Sequence, residues 1–221
     1  MALWITLNGA LLIAAYLLGS FPTGFLLGKA LRGIDIREHG SKSTGATNVL
    51  RTLGKGPGAT VLGVDILKGV FAIALTQFSY LSGSWLLTQT PATVTVNLWA
   101  PWMIILAGLA AILGHSKSIW LSFQGGKSVA TGLGILLMLN WQVGLATFGV
   151  FGLVISLSRM VSLSSISAAL ALPVLMVVLQ QPLAYILFGV AGGLYVVWRH
   201  WANIERILEG TEPRLGQKPA V

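Results

Sequence analysis

Residues 3–27 read LWITLNGALLIAAYLLGSFPTGFLL, twenty-five consecutive positions without a charged side chain. A helix needs about 20 apolar residues to cross the hydrocarbon core of a bilayer, and this run meets that length. Met1 to Asn8 carries no basic residue, and the run outlasts the apolar region of a leader. The reading is a retained membrane span rather than a cleaved signal peptide.

The rest of the chain has the same character. Of 221 residues, 55% are apolar and 9% charged, and the mean hydropathy is +0.81. A soluble domain has about 25% charged residues. Six acids and fourteen bases cannot cover the outside of a water-soluble fold. A disordered chain needs the opposite balance. With no cysteine, a disulfide framework, a thiolate zinc site and a thiol nucleophile are excluded. The chain reads as an all-α integral membrane protein.

Seven apolar stretches are candidate spans: 3–27, 59–80, 99–114, 127–140, 142–158, 162–180 and 183–199. The pieces 99–114 and 127–140 are short. Loop 28–58 holds Lys29, Arg32, Arg37, Lys42, Arg51 and Lys55, and loop 115–127 holds Lys117 and Lys127. Arg159 sits in the turn 159–161; Arg199, Arg206, Arg214 and Lys218 lie in the tail 199–221. Lys68 falls about two turns into the second span. The alternate connections carry no charge. All fourteen bases therefore share one side, which the positive-inside rule makes the cytoplasm. Seven spans then put the N-terminus outside and the C-terminus inside. The net charge of +8 is a topology signal, and nucleic acid is not an expected partner.

Trp4, Trp85, Trp99 and Trp102 fit an outer aromatic belt, and Trp120, Trp198 and Trp201 an inner one. Gly189 and Gly193 form a G-x-x-x-G pair, read as a close helix contact within the chain. No internal repeat supports an inverted-repeat transporter.

Four polar islands lie on the charged side. Gly40 to Arg51 combines two glycines, four hydroxyls, Asn48, Lys42 and Arg51. Glycines let backbone N–H groups converge on an anion, and a helix opening after Gly45 would aim its positive end there. A flexible polar loop is the plainer reading. Gln124-Gly125-Gly126-Lys127-Ser128 resembles the end of a P-loop. The first motif glycine would fall at Leu121, so nucleotide hydrolysis is rejected. A phosphate or oxyanion site at a helix start remains, as does a snorkelling lysine. In the turn Arg159 to Ser165, one of Ser162, Ser164 and Ser165 meets substrate or caps the next helix. On a last span continuing as a helix, His200 and Asn203 share a face, and His200 is a proton-transfer candidate. Asp65 and Lys68, spaced i, i+3 inside the second span, are a functional site or a structural ion pair.

Taken in order, three motifs resemble those of the bacterial acyl-phosphate:glycerol-3-phosphate acyltransferase family, PlsY. They are Gly40-Ser41…Gly45-Ala46-Thr47-Asn48-Val49-Leu50-Arg51, then Gly125-Gly126-Lys127…Ala130-Thr131-Gly132, then His200…Asn203-Ile204…Arg206…Gly210-Thr211-Glu212. The likeness runs from the first span to Glu212. Three slots depart: Lys42-Ser43-Thr44 replaces the usual Gly-Asn-Pro/Val, Ser116-Lys117-Ser118-Ile119 replaces a more apolar Phe-Pro stretch, and Ser128 replaces a glycine.

The resemblance implies transfer of a fatty acyl group from acyl phosphate to the sn-1 hydroxyl of glycerol 3-phosphate. The products are lysophosphatidic acid and phosphate, in the first step of phospholipid synthesis. It implies one seven-helix domain, residues 1–221, in the cell inner membrane, with its active site in the cytoplasmic loops. It implies no metal or other cofactor, and a soluble upstream enzyme that makes the acyl phosphate. Ser41, Gly45, Thr47, Asn48, Gly125, Gly126 and Lys127 would hold acyl phosphate. Arg51, Lys127, Ser165, His200 and Asn203 would hold glycerol 3-phosphate, with His200, Asn203 and Lys127 the catalytic set. The competing class is a transporter of a phosphorylated metabolite. It would need polar residues in the outer half of the spans, where there are almost none.

Overall fold

The computed structural model describes residues 1–81 and 84–217; Lys218, one of the expected cytoplasmic bases, lies outside the described residues. The described chain is helical, with a lone antiparallel bridge between Ser118 and Gln124. It falls into two compact units, Met1–Leu139 and Asn140–Val221.

The first unit holds α1 (Ala2–Ser20), α2 (Thr23–Arg32), α3 (Ala46–Leu53), α4 (Lys55–Ser79), α5 (Trp85–Thr88), α6 (Val96–Ser116) and α7 (Val129–Leu139). The predicted span 3–27 is broken at Phe21-Pro22. A residue before proline is driven out of the helical region, and Phe21 sits at φ −55, ψ 118. The chain then restarts as amphipathic α2, which ends at Gly33 in the left-handed region (φ 68). Buried Ile36, Val49 and Val61, with Leu27, Ala46 and Leu53 packed on them, fasten α2 and α3 to the foot of α4.

Small residues set the helix crossings. A methyl group on Gly19 would overlap the carbonyl of Ala111, and one on Gly114 that of Tyr16, so α1 and α6 touch backbone to backbone. Gly69 and Gly134 do the same for α4 and α7 against Thr131 and Ile66. Without a hydrophobic drive between helices in lipid, such contact is a main source of association. At the far end of α1, Asn8 accepts from Tyr80 Oη and from Trp99 Nε1 (3.3 Å) and donates to the Trp4 carbonyl (2.8 Å). Trp4 is 1% exposed and packs edge-on to Tyr80. It is therefore a core residue and not part of the outer belt expected for it. The other belt tryptophans are exposed, from 38% at Trp99 to 63% at Trp201.

The second unit holds α8 (Trp141–Ser158), α9 (Val161–Val178), α10 (Leu183–Arg199) and α11 (Trp201–Leu208). Asn140 caps α8, its Oδ1 accepting from Gln142 N (2.9 Å) and Val143 N (3.1 Å). The Gly189/Gly193 pair packs α10 on α9, against Met176 and the Ala169 carbonyl. That is the contact within the chain read from the sequence.

Among the described residues, five helical segments are long and apolar enough to cross a membrane, or six counting α10 with α11, which bend by 59°. The expected span 127–140 is an 11-residue helix, about 16 Å at 1.5 Å per residue, half the hydrocarbon thickness. It starts late because Ser128 is left-handed (φ 62) and cannot extend the helix backwards.

Candidate functional site

In the first unit, the Gly40–Arg51 island is wound around Asn48. That side chain is 1% exposed. Its amide nitrogen donates to the carbonyls of Ile36 (3.0 Å), His39 (3.0 Å) and Ser43 (2.8 Å), and its Oδ1 accepts from Ser41 N (2.8 Å). Gly40 leaves no room for a Cβ over Oδ1. Asn48 is thus engaged by the loop's own backbone, which narrows its expected role to shaping the loop. Gly45 N donates to Ser43 Oγ (3.3 Å), and α3 begins after Gly45 with no side-chain cap. Its opening N–H groups carry the positive end of the helix. Thr47 and Arg51 lie at i, i+4 on one face. Ser41 and Arg51 are exposed, and Gly45 and Thr47 are half-buried.

Arg37, counted in the sequence only as a loop base, ties this loop to the next. Its Nη1 donates to the Leu121 carbonyl (3.2 Å), while Nε and Nη2 grip Asp35. The Arg37 hydrogen bonds outweigh burial and hold the Asp35 carboxyl below its usual range.

The Gly125–Lys127 island folds back onto the end of α6. Gly126 N donates to the His115 carbonyl (3.2 Å). Neither glycine has space for a Cβ: Gly125 lies on the His115 carbonyl and Gly126 on the His115 ring at Nε2. With its N–H bound to His115, Gly126 contributes close approach rather than a donor. Ser118 Oγ donates to the Ser20 carbonyl (2.7 Å) and Ser128 Oγ to that of Ile112 (2.8 Å). Lys127 is half-buried.

Beneath both islands lies a charged cluster. Lys68 Nζ is 2.9 Å from Asp65 Oδ1 and donates to the Phe21 carbonyl (3.3 Å); His115 Nδ1 is 3.7 Å from the same Asp65 oxygen. Asp65, Lys68 and His115 are buried at 2%, 6% and 6% exposure. A cleft of about 200 Å³, counting its open mouth, brings them together with Thr44 of the first island and with Ser118, in the loop that leads to the second. The i, i+3 pair was visible in the sequence. The third member, His115, was not singled out.

In the second unit the organiser is Glu212. Its Oε1 accepts from Ser162 Oγ (2.7 Å) and Asn203 Nδ2 (2.7 Å), and its Oε2 from Arg206 Nε (2.7 Å). Burial pushes this carboxyl up, but the three donors and the Arg206 charge prevail and hold it below its usual range. Leu215 N donates to the Arg159 carbonyl (2.7 Å), so the tail straps the turn that carries the serines. Ser164 and Ser165 donate to the carbonyls one turn back, at 2.8 Å each.

The last span does not run on straight, as expected for His200 and Asn203. His200 ends α10 and starts α11, and Asn203 N donates to its carbonyl (2.8 Å). His200 Nδ1 is 2.7 Å from the Val196 carbonyl. A carbonyl can only accept, so Nδ1 carries the hydrogen and Nε2 is the nitrogen that takes up or releases a proton. Ser165 and His200 are each 3% exposed, and Asn203 6%. Sequence reasoning left the choice of serine open and missed the clasp. Glu212 was visible only as part of the third motif.

The family model for glycerol-3-phosphate acyltransferase matches residues 9–210. The chain is 69% identical over 221 residues to the glycerol-3-phosphate acyltransferase of Acaryochloris marina, covering 100% of this chain and 98% of the relative. It is 67% identical over 220 residues to that of Trichormus variabilis, covering 99% and 96%. Two crystal structures of PlsY (YgiH), an integral membrane glycerol 3-phosphate acyltransferase, share the fold. The glycerol 3-phosphate form gives a TM-score of 0.81 at 35% identity, covering 95% of this chain and 96% of that one. The lysophosphatidic acid form gives 0.78 at 34%, covering 95% of each. With its motifs seated on an all-helical membrane fold, the chain belongs to the glycerol-3-phosphate acyltransferase family, of PlsY type.

Proposed function

We propose that the protein moves a fatty acyl group from acyl phosphate to the sn-1 hydroxyl of glycerol 3-phosphate. The hydroxyl oxygen bonds to the acyl carbon and the carbon–oxygen bond to phosphate breaks. Phosphate leaves with that electron pair. The hydroxyl proton passes to His200 Nε2 or to a phosphate oxygen. The observation that carries the reading is the end-to-end match to relatives named for this acceptor, with PlsY structures described as its bound and product forms.

Acyl phosphate brings its own leaving group, so no covalent enzyme nucleophile is needed. Two phosphate groups must sit close, and each pair of unit charges at 4 Å repels by about 4 kcal/mol at an effective dielectric of 20. Bases and N–H groups offset this, and proximity supplies much of the rate. Ser41, Gly45, Thr47, Gly125 and Lys127 take the acyl phosphate, on loops shaped by Asn48 and Gly126. Arg51, Lys127, Ser165, His200 and Asn203 take glycerol 3-phosphate.

The protein works as one domain with seven crossings, α7 being a short one in thinned bilayer. The N-terminus lies outside, and the loops and C-terminus lie in the cytoplasm, at the inner membrane. A soluble enzyme upstream delivers acyl phosphate. The loop bases support this orientation.

The test is an assay of purified protein in detergent with palmitoyl phosphate and glycerol 3-phosphate, counting phosphate and lysophosphatidic acid. One-to-one products, lost in Lys127→Ala and absent with acyl-CoA, are expected. Folded protein that makes no lysophosphatidic acid would overturn the reading and direct attention to phosphate-ester transport in vesicles.

A further inference from the structure

We propose that His115, braced by Asp65 and Lys68, is a positioning residue for acyl transfer. It fixes the Gly125–Lys127 turn and so the place of the acyl phosphate. The inference rests on the reading that this turn holds that substrate.

His115 grips Gly126 at two points. Its carbonyl takes the Gly126 N–H at 3.2 Å. Its ring presses on the Gly126 Cα so closely that a Cβ there would overlap Nε2. The other ring nitrogen faces Asp65 Oδ1 at 3.7 Å, and that oxygen is held by Lys68 at 2.9 Å. Lys68 is in turn tied to the Phe21 carbonyl at the break between α1 and α2. A chain of contacts thus runs from a helix break, through two buried charges on α4, to the backbone next to Lys127.

A buried ion pair is weak evidence for stability, because apolar groups of the same volume often serve as well. Ionisable side chains inside a span are expensive, and they tend to be kept for function. Here the expense falls under a turn whose next residue, Lys127, is assigned to both substrates. If Lys127 moves by about 1 Å, loss of alignment alone can cost about 10²-fold in rate.

The test compares His115→Leu, His115→Gln and wild type, as full-length protein in detergent. Hydrogen exchange reads the turn directly, and steady-state kinetics read its effect. His115→Leu should speed exchange about tenfold in peptides covering 118–128, leaving α8–α10 peptides unchanged. It should lower kcat/KM for acyl phosphate by about 10²-fold and raise KM for glycerol 3-phosphate less, because Lys127 is one of five groups assigned to that substrate. His115→Gln, which keeps a polar group facing Asp65, should recover part of both effects. Asp65→Asn should show the same pattern more weakly and stands in if His115→Leu does not fold. Unchanged exchange at 118–128, or a loss shared by both substrates with exchange raised throughout, overturns the proposal. Lys127→Ala run alongside separates the two readings. If it leaves KM for acyl phosphate unchanged, the substrate assignment of the turn is wrong, whatever His115→Leu does to exchange.

Discussion

Replacing Glu212 by alanine should destabilise the second unit severely. The carboxylate is 5% exposed and accepts three bonds at 2.7 Å. Its removal leaves Ser162 Oγ and Asn203 Nδ2 buried without this acceptor. Each stranded donor costs about 1–3 kcal/mol. The Arg206 bond adds less, because Arg206 is 37% exposed and its charge is partly screened. The sum is about 2–7 kcal/mol. For a chain of this size each kcal/mol moves the melting point by about 2–4 °C, so a drop of roughly 4–28 °C is expected. Glu212→Gln keeps an oxygen for Ser162 and Asn203 but turns an amide donor toward Arg206, and should cost about 1–2 kcal/mol. Because the folded carboxyl is held below its ordinary value near 4.5, its contribution is complete above that value. It is lost as pH falls through the lowered one. Melting curves in detergent between pH 7 and pH 3 read both effects. Wild-type-like melting of Glu212→Ala at pH 7, or equal alanine and glutamine variants, would refute the reasoning.

Four further outcomes follow from the geometry. Lys42 occupies the left-handed region (φ 54), so Lys42→Gly should raise stability by about 0.5–1 kcal/mol with activity kept; Ser128→Gly (φ 62) gains similarly but loses the bond to Ile112, so its melting point should barely move. Gly126→Ala drives a Cβ into the His115 ring and should cut kcat/KM at least about 10²-fold while circular dichroism keeps the helical signal. His200→Ala should lower turnover at saturating substrates; if it raises only KM for glycerol 3-phosphate, His200 binds that substrate and is not the base.

The fold class was legible because membrane spans are written in composition. Residues 3–27 declared a span, and Pro22 within them held the clue to the break at Phe21. The length of α7 was not legible. The left-handed backbone at Ser128 sets where the helix starts, and extended Asn140, which caps α8, sets where it ends. Two of the three departures from the family pattern, Lys42 and Ser128, fall on left-handed residues. A slot that usually holds glycine was thus a readable hint of backbone shape. The islands were visible as hydroxyls, glycines and bases. Whether an island residue faces ligand or its own loop was not, since Asn48 is claimed by carbonyls 5 to 12 residues away. His115 with Asp65 and Glu212 with Ser162 are each paired across about 50 residues. Local spacing carries no record of such pairs, which only the packing of separate helices creates.

The Glu212 clasp also sets an order in time. Ser162 and its carboxylate are 50 residues apart, and a ribosome adding 5–20 residues per second makes the second roughly 3–10 s after the first. For that interval α9 exists without its strap. The serine turn takes its final form only after α10 and α11 have been made, so the unit completes itself from its last-translated end. A chain released early would carry inserted helices and an unfastened turn.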